Sequence, residues 1–575
     1  MTTRYRNARI FTADPHPDHA WAETLVVDGD IITFVGRDDD APEASTTVDL
    51  GGRLVLPGFT DAHTHLLMMG AALGQVALTH ARTLDEIQGL LAAAHAAAPS
   101  ATVLRGRGWL FDSIPGGLPT AAMIDAVVSD VPVYLDANDY HSCWVNAAAL
   151  AELGITRDTP DPLGGRIARD ADGEPTGLLY ETAATQYAWA HRDATTTDAD
   201  RDADVERVLE AYLASGVTGV VDMAFDDYGL AAFERARERR GGTLPLRVAA
   251  HWIVENTGDE AANLAQVARA AELAERTGGT AGRTTGGGSD AAVGTAPWLR
   301  VVGIKLILDG VIDACTAAMR EPYAGGGNAD PIWPLEQLKP VVAAADAAGL
   351  QIAQHAIGDL ASGIALDALE HAIAVNGEQP GDRASGPGAG RPGRLHRIEH
   401  LEYAAPGTAE RMAALGVTAS MQPVHSDPAI FDNWAAQLGD ERVDRAFAWP
   451  EYEQAGALLA FSTDAPTAPH EALANLYIAA TRASALDPAV PAVRPQFALP
   501  LESAIGHATR DAAASVGDGA WRGRLAPGFA ADLIVLDTDP FTAGAPSLLG
   551  ARVLETIVAG RSQHTAAAPT EEEAR

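Results

Sequence analysis

The stretch LVLPGFTDAHTH, residues 54–65, decides the fold, because an apolar run typical of a buried strand ends there in two histidines. Alternate residues of an extended chain face the same side, so His63 and His65 can bind one cation together. A single H-x-H triplet can arise by chance among 17 histidines. Four later strand-like runs, however, also end in ligand-type residues: Lys305, His355, His400 and Asp464. The sequence therefore predicts a metal centre built from strand ends.

Strand-like and helix-like segments alternate through the middle of the chain, which favours a parallel sheet with helices outside it. Glycines at 216, 349 and 416 each end a helix-like segment just before the next strand. We therefore expect an α/β fold of the (β/α)8 TIM-barrel type, with its chemistry at the carboxyl ends of the strands. The eight predicted strands are residues 54–61, 217–223, 246–252, 301–308, 351–355, 397–401, 418–422 and 458–463.

The two ends of the chain predict a second, smaller domain. Short β-rich runs occupy both ends, and neither end is long enough to bury a core alone. We expect them to pair into one small β-sandwich domain. The predicted boundaries are 1–56 and 515–565 for that domain, 57–514 for the barrel, 70–214 for an inserted subdomain over the barrel mouth and 566–575 for a loose tail.

Composition restricts the classes of partner. The chain has 77 acidic and 41 basic residues, a formal net charge of -36 that repels a phosphate backbone, so we expect no nucleic-acid partner. Its apolar runs are too short to span a bilayer, and residues 1–6 lead into no apolar signal segment, so we expect a cytoplasmic protein without a membrane partner. The expected partner is a small-molecule substrate, and a homo-oligomer is left open.

Lys305 differs from the other ligand-type residues. It lies inside the apolar run 301–308, where a buried ammonium is costly unless it is paired or chemically altered. A buried lysine loses its proton readily, and a neutral amine can capture carbon dioxide. The two oxygens of the resulting carbamate could bridge two cations. The alternatives are a salt-bridged lysine or one whose ammonium reaches the rim of the barrel.

Ten motifs resemble the amidohydrolase superfamily, most closely its amidohydrolase-3 branch of YtcJ-like and N-substituted formamide deformylase-like enzymes. They cover nearly the whole chain in the order of that family. Residues 139–141 and 310–315 depart from the usual pattern beside the expected substrate site. The motifs are LPGFTDAHTH (56–65), RGRGW (105–109), PVYL (132–135), HSCWVNAAAL (141–150), GEPTGLLYE (173–181), KLILDG (305–310), HAIGD (355–359), RIEH (397–400), STDAP (462–466) and LAPGFAADLIVLD (525–537).

The resemblance implies a role for each ligand-type residue. His63 and His65 would hold the more buried metal, and His355 and His400 the second. Lys305, N6-carboxylated, would bridge the two ions. Asp464 would be both ligand and proton shuttle. Zinc is the expected metal, with manganese or iron as alternatives.

The implied reaction is hydrolysis of a non-peptide carbon–nitrogen bond in an amide or N-substituted formamide. A metal-activated hydroxide would attack, because water bound to such a cation loses its proton near neutral pH, and Asp464 would transfer the proton. Two other functions stay open. One is a mononuclear deaminase or cyclic amidine hydrolase with Lys305 unmodified, and the other is a catalytically silent barrel that acts as a binding protein.

Substrate contacts are predicted within the insertion. His141, Trp109 and Asp112 are the residues concerned, although Trp109 could equally belong to the core of the subdomain and Asp112 to a turn or a helix cap. Glu399 directly precedes His400, so we expect it to point the opposite way along the strand and to be structural.

Overall fold

The computed structural model divides the chain into two compact units. One comprises Met1–Leu66 and Leu209–Arg575, and the other is Leu67–Val208. The predicted contact residue His141 and most of the predicted tail lie outside the described residues. The structure describes residues 2–137, 142–162, 165–279, 296–377, 394–430 and 434–567.

An eight-stranded parallel sheet forms the core of the larger unit, and each strand pairs with the next one along the chain. Beyond the last strand, the Asp464 amide donates to the His63 carbonyl at 2.8 Å and the His65 amide donates to the Ala465 carbonyl at 2.9 Å. These bonds nearly close the sheet, which confirms the predicted barrel. Its strands are β1 (Phe59–Thr64), β2 (Val217–Phe225), β3 (Arg247–Ile253), β4 (Leu299–Ile307), β5 (Gln351–Ala356), β6 (Arg397–His400), β7 (Thr418–Met421) and β8 (Leu459–Phe461).

A helix follows each strand from β2 to β8. Aspartates cap two of these helices, because Asp226 accepts from the Gly229 amide and Asp259 from the Ala262 amide. Gly416, at φ 69°, ends another helix in the left-handed conformation expected of a helix stop. The seven helices are Asp227–Arg239, Glu260–Thr277, Leu335–Ala347, Asp359–Asn376, Thr408–Leu415, Trp449–Ala455 and Ala472–Thr481, and further helices are Trp434–Leu438, Asp440–Val443, Leu501–Ala508, Arg510–Ala514 and Pro540–Ala543.

The first predicted strand, residues 54–61, is in fact two strands. Leu54–Pro57 pairs with Leu533–Leu536 and with Arg9–Phe11 in a different sheet, and the barrel strand begins only at Phe59. Gly58 separates them at a close approach, where an added Cβ would lie 2.1 Å from Thr218 Cγ2. The prediction was wrong because both strands are buried on both faces, so the apolar run has no break in its pattern.

The two chain ends form the small β-domain of the predicted fold. Strands from both ends share one six-stranded sheet, beside a four-stranded sheet of the N-terminal segment. An apolar core that includes Ile10, Leu25, Leu533 and Ile557 joins them. The strands are Thr2–Arg6, Thr24–Asp28, Ile31–Gly36 and Thr46–Asp49 in the smaller sheet, and Arg9–Phe11, Trp21–Ala22, Leu54–Pro57, Leu533–Leu536, Val553–Val558 and Arg561–Thr565 in the larger.

The unit Leu67–Val208 has a sheet and a core of its own. Ile87, Trp109, Leu135 and Trp144 belong to one buried apolar cluster. Helix Leu66–Leu73 begins at one boundary of the unit and helix Asp198–Ala214 contains the other. Within the described ranges, we find no helix that combines the length and the apolar content needed to cross a membrane. The strands are Val76–Ala77, Leu104–Trp109, Val133–Ala137, Ser142–Val145, Gly165–Arg169 and Pro175–Glu181, and the remaining helices are Leu84–Ala97, Ala121–Asp125, Ala147–Glu152 and Ala190–Thr195.

Candidate metal centre

Five of the predicted ligands lie together at the carboxyl ends of the barrel strands. Asp464, just after β8, places Oδ1 3.3 Å from His63 Nε2 and 3.0 Å from His65 Nε2. The ring centroids of His63 and His400 are 4.8 Å apart, and those of His355 and His400 are 4.4 Å apart. Strands β1, β5 and β6 and the turn after β8 therefore bring residues distant in sequence into one cluster.

Three of these residues form a compact group that could hold a cation. His63, His400 and Asp464 are buried, and each offers one ligand atom within 4.8 Å of the others. His400 and Asp464 have positive φ angles, 75° and 60°, in a region that residues other than glycine seldom occupy. Such strain is common at functional sites, where the surrounding structure holds a side chain in a required direction.

Glu399 fixes the orientation of His63. Its Oε2 lies 2.8 Å from His63 Nδ1, and its Oε1 lies 2.5 Å from Arg397 Nε. Burial alone would raise the pKa of Glu399, but Arg397 and His63 outweigh burial and hold that pKa well below its usual range. Because a carboxylate only accepts, the Nδ1 of His63 carries the proton and Nε2 is the atom that could bind a cation.

The expectation that Glu399 points away from the site was wrong. The alternation rule assumes a regular strand, whereas the positive φ of His400 turns its side chain out of the strand pattern. Glu399 and His400 therefore both belong to the cluster.

His355 and His400 have the neutral form that metal ions bind. Burial lowers the pKa of His400 well below its usual value and lowers the pKa of His355 to about 3. His400 Nδ1 donates to Gln422 Oε1 at 2.9 Å, which leaves Nε2 as its acceptor atom. His355 Nε2 lies 3.3 Å from the Gly310 carbonyl oxygen.

Lys305 lies in β4 with only 2% of its surface exposed. Burial lowers the pKa of its amine to about 8, although the nearby carboxylates of Glu399 and Asp464 oppose that shift. Over the described part of the chain, Nζ has no hydrogen-bond partner. The side chain is therefore neither salt-bridged there nor extended to the rim, and its amine is prone to lose a proton.

His425 and Glu402 adjoin this cluster, although the sequence interpretation assigned neither to the site. His425 lies in the turn Pro423–Ser426 after β7, and its Nδ1 donates to Glu402 Oε1 at 2.9 Å. Its ring is nearly parallel to that of His400, with centroids 5.9 Å apart. The available signal was position, since His425 follows a barrel strand at its carboxyl end.

Asp309 is another buried carboxylate that the sequence interpretation missed. It accepts from the backbone amides of Ala318, Ile357 and Gly358, and its Oδ1 is 3.5 Å from His355 Nε2. It therefore fixes the loop that directly follows β5, the strand that contains His355.

Trp109 and Asp112, two of the predicted substrate contacts in the insertion, differ in their exposure to solvent. Trp109 is fully buried, donates to the Leu135 carbonyl at 2.9 Å and packs edge-on against Trp144. Asp112 is exposed in the short turn Phe111–Ser113. Substrate contact by His141, Trp109 and Asp112 stays a prediction.

A family model described as the Amidohydrolase family matches residues 46–564 of the 575-residue chain. The chain belongs to the amidohydrolase family. This amidohydrolase is therefore a hydrolase, and the predicted family is confirmed.

Relatives and solved structures agree with that assignment. The YtcJ protein of Bacillus subtilis is 29% identical over 89% of each chain, and the N-substituted formamide deformylase of Arthrobacter pascens is 26% identical over 96% of each. Protein LONG AFTER FAR-RED 3 of Arabidopsis thaliana is 29% identical over 96% of this chain and 90% of its own. An uncharacterized metal-dependent hydrolase from Pyrococcus furiosus has a TM-score of 0.71 at 25% identity and covers 94% of this chain and 100% of that chain.

Proposed function

We propose that this amidohydrolase cleaves a carbon–nitrogen bond in a small amide or N-substituted formamide, with divalent cations held at the ends of the barrel strands. The observation that carries the proposal is the buried cluster of imidazoles around Asp464. The ion-pair partners of Asp464 among the described residues are all histidines. Zinc is the proposed metal, with manganese or iron as alternatives.

The side chains present fit a divalent cation. Buried polar atoms nearly always have a hydrogen-bond partner, yet His65 Nδ1 and Lys305 Nζ have none within the described ranges. Neutral imidazoles and an ionised carboxylate form a donor set typical of zinc. We propose that His63, His65 and Asp464 hold one ion and that His355 and His400 hold a second.

Lys305 is proposed to bridge the two ions after N6-carboxylation. Its neutral amine would add to the carbon of carbon dioxide, forming a nitrogen–carbon bond and releasing one proton from nitrogen. Burial without a partner favours this modification, because the lowered pKa of about 8 leaves a sizeable neutral fraction near neutral pH.

Asp464 is the proposed proton carrier. When bound, the cations supply the Lewis acidity that makes a water molecule nucleophilic and polarises a carbonyl. Burial would raise the pKa of Asp464, but His63 and His65 hold that pKa well below its usual range, so the carboxylate is ionised. It would accept a proton from the attacking water and deliver it to the departing nitrogen as the carbon–nitrogen bond breaks.

The proposed substrate class rests on the relatives. The Arthrobacter deformylase matches nearly the whole chain, whereas the names of the other relatives differ widely. His141 and Asp112 are proposed as substrate contacts. Trp109 is the weaker proposal because it has no exposed surface.

A mononuclear deaminase or cyclic amidine hydrolase is the second candidate. The group His63, His400 and Asp464 could hold one ion without Lys305 or His355, which favours this alternative.

A substrate panel on zinc-loaded protein tests the proposal. N-substituted formamides should yield formate and amine in equal amounts, and simple amides should yield acid and amine. Ammonia released from cyclic amidines, with no turnover of formamides, would favour the second candidate. If the metal-loaded protein cleaves no compound of the panel, the alternative of a catalytically silent barrel that acts as a binding protein is favoured.

A further inference from the structure

We propose that Glu402 and His425, which are not among the six predicted ligands, are cation ligands that hold the second proposed ion together with His400. This inference rests on the proposed metal centre. It does not depend on which bond the enzyme cleaves.

Geometry provides the first support. His400, Glu402 and His425 each offer one ligand atom, and these three atoms all lie within 4.8 Å of one another. Ligands of a tetrahedral zinc ion, at about 2.0–2.2 Å from the metal, are separated by roughly 3.4 Å, so side-chain shifts of about 1 Å would bring the three atoms around one ion. Two nitrogens and a carboxylate oxygen are a common zinc donor set.

The local backbone explains why His400 and Glu402 both lie in the cluster with His425. His400 and Leu401 both have positive φ angles, 75° and 51°. The Leu401 amide donates to the Ala356 carbonyl at 3.2 Å, and the Glu402 carbonyl accepts from the Phe447 amide at 2.8 Å. The chain is thus turned and anchored directly after β6, and this places the Glu402 carboxylate beside the imidazole of His425.

Charge provides the second, independent support. Glu402 is only 7% exposed, so its carboxylate is almost wholly removed from water. His425 lies between two carboxylates, with Nδ1 2.9 Å from Glu402 Oε1 and Nε2 3.6 Å from Asp464 Oδ2. In the described structure, Glu402 has no lysine or arginine ion pair. A buried carboxylate in such surroundings is stabilised by a metal ion.

Metal binding by variants of the full-length protein tests this proposal. Metal-free wild type, His425→Ala and Glu402→Gln would be titrated with zinc chloride by isothermal calorimetry. Each substitution should raise the dissociation constant of one ion by at least about 100-fold, beyond the range typical of residues that only orient a ligand. His507→Ala is the matched control, because His507 is a buried histidine held by Asp511 at 2.8 Å outside the cluster, and it should leave zinc binding unchanged.

A second measurement requires no substitution. In crystals of the zinc-loaded wild type, the anomalous difference map should show a peak within coordination distance of Glu402 and His425. Unchanged zinc binding by both variants, or a peak that contacts only the six predicted ligands, would overturn the inference. Activity separates the two proposals. If the variants lose one ion and the wild type cleaves no carbon–nitrogen bond, the proposed function is refuted and this inference stands.

Discussion

Replacing Glu399 with glutamine tests how the barrel interior supports the metal centre. The carboxylate makes three charge-assisted contacts, with Arg397 Nε at 2.5 Å, Arg397 Nη2 at 3.1 Å and His63 Nδ1 at 2.8 Å. Glutamine retains one acceptor oxygen and replaces the other with a donor, which would face the N–H group of Arg397 or of His63. Arg397, with 0% exposure, loses its anionic partner.

The magnitude follows from these contacts. Breaking a buried ion pair costs about 3–5 kcal/mol. The retained amide oxygen and the acceptors Ser420 Oγ and Ala62 O of Arg397 reduce that cost by about 1 kcal/mol. We therefore expect Glu399→Gln to lower the free energy of unfolding of the metal-free protein by about 2–4 kcal/mol. Zinc affinity should fall about 10–100-fold, because His63 loses the carboxylate that orients it.

Urea unfolding and zinc titration measure the two effects separately. Glu336→Gln is the control, since Glu336 is exposed and its ion pair among the described residues is with Lys339 on the surface, and it should change neither quantity. If Glu399→Gln matched the wild type in both assays, the proposed orienting role of Glu399 would be refuted.

Three further predictions concern other residues. Lys305→Ala should lose one metal ion and most of the activity, and millimolar acetate or propionate should restore part of both by supplying bridging oxygens; full metal content in the variant would contradict the bridge. Asp464→Asn should lower kcat by about 10²–10⁴-fold at saturating zinc, because the proton carrier is lost, and stopped assays on a formamide substrate would measure it. Burial opposes the charged form of His507, but Asp511 and Glu453 outweigh burial and raise the pKa of its imidazole. The charged imidazole therefore stabilises the fold below a pH of about 6.5, the pKa of an unfolded histidine. This contribution is lost as the pH rises through the folded-state pKa. The deficit in unfolding free energy of His507→Ala should therefore be larger at low pH than at high pH in urea unfolding, and a deficit independent of pH would contradict this reasoning.

The barrel could be predicted because its signals are local. Each strand is a short apolar run, and glycines such as Gly216 and Gly416 mark where a helix ends before the next strand. Alternate residues of an extended chain face the same side, so the sequence alone predicts that His63 and His65 lie on one side.

The rest could not be predicted because it depends on backbone angles and on contacts distant in sequence. The positive φ of His400 reverses the alternation rule, so the role of Glu399 was hidden. Glu399 also reaches His63 across 336 positions, and Glu402 meets His425 across 23. The folded barrel brings these pairs together.

The metal content of the purified full-length protein tests the central claim most directly. After loading with zinc and removal of free ions, elemental analysis should find about two ions per wild-type chain. His63→Ala, with its fold verified by circular dichroism, should hold fewer. A folded wild type that retains no divalent metal would contradict the account.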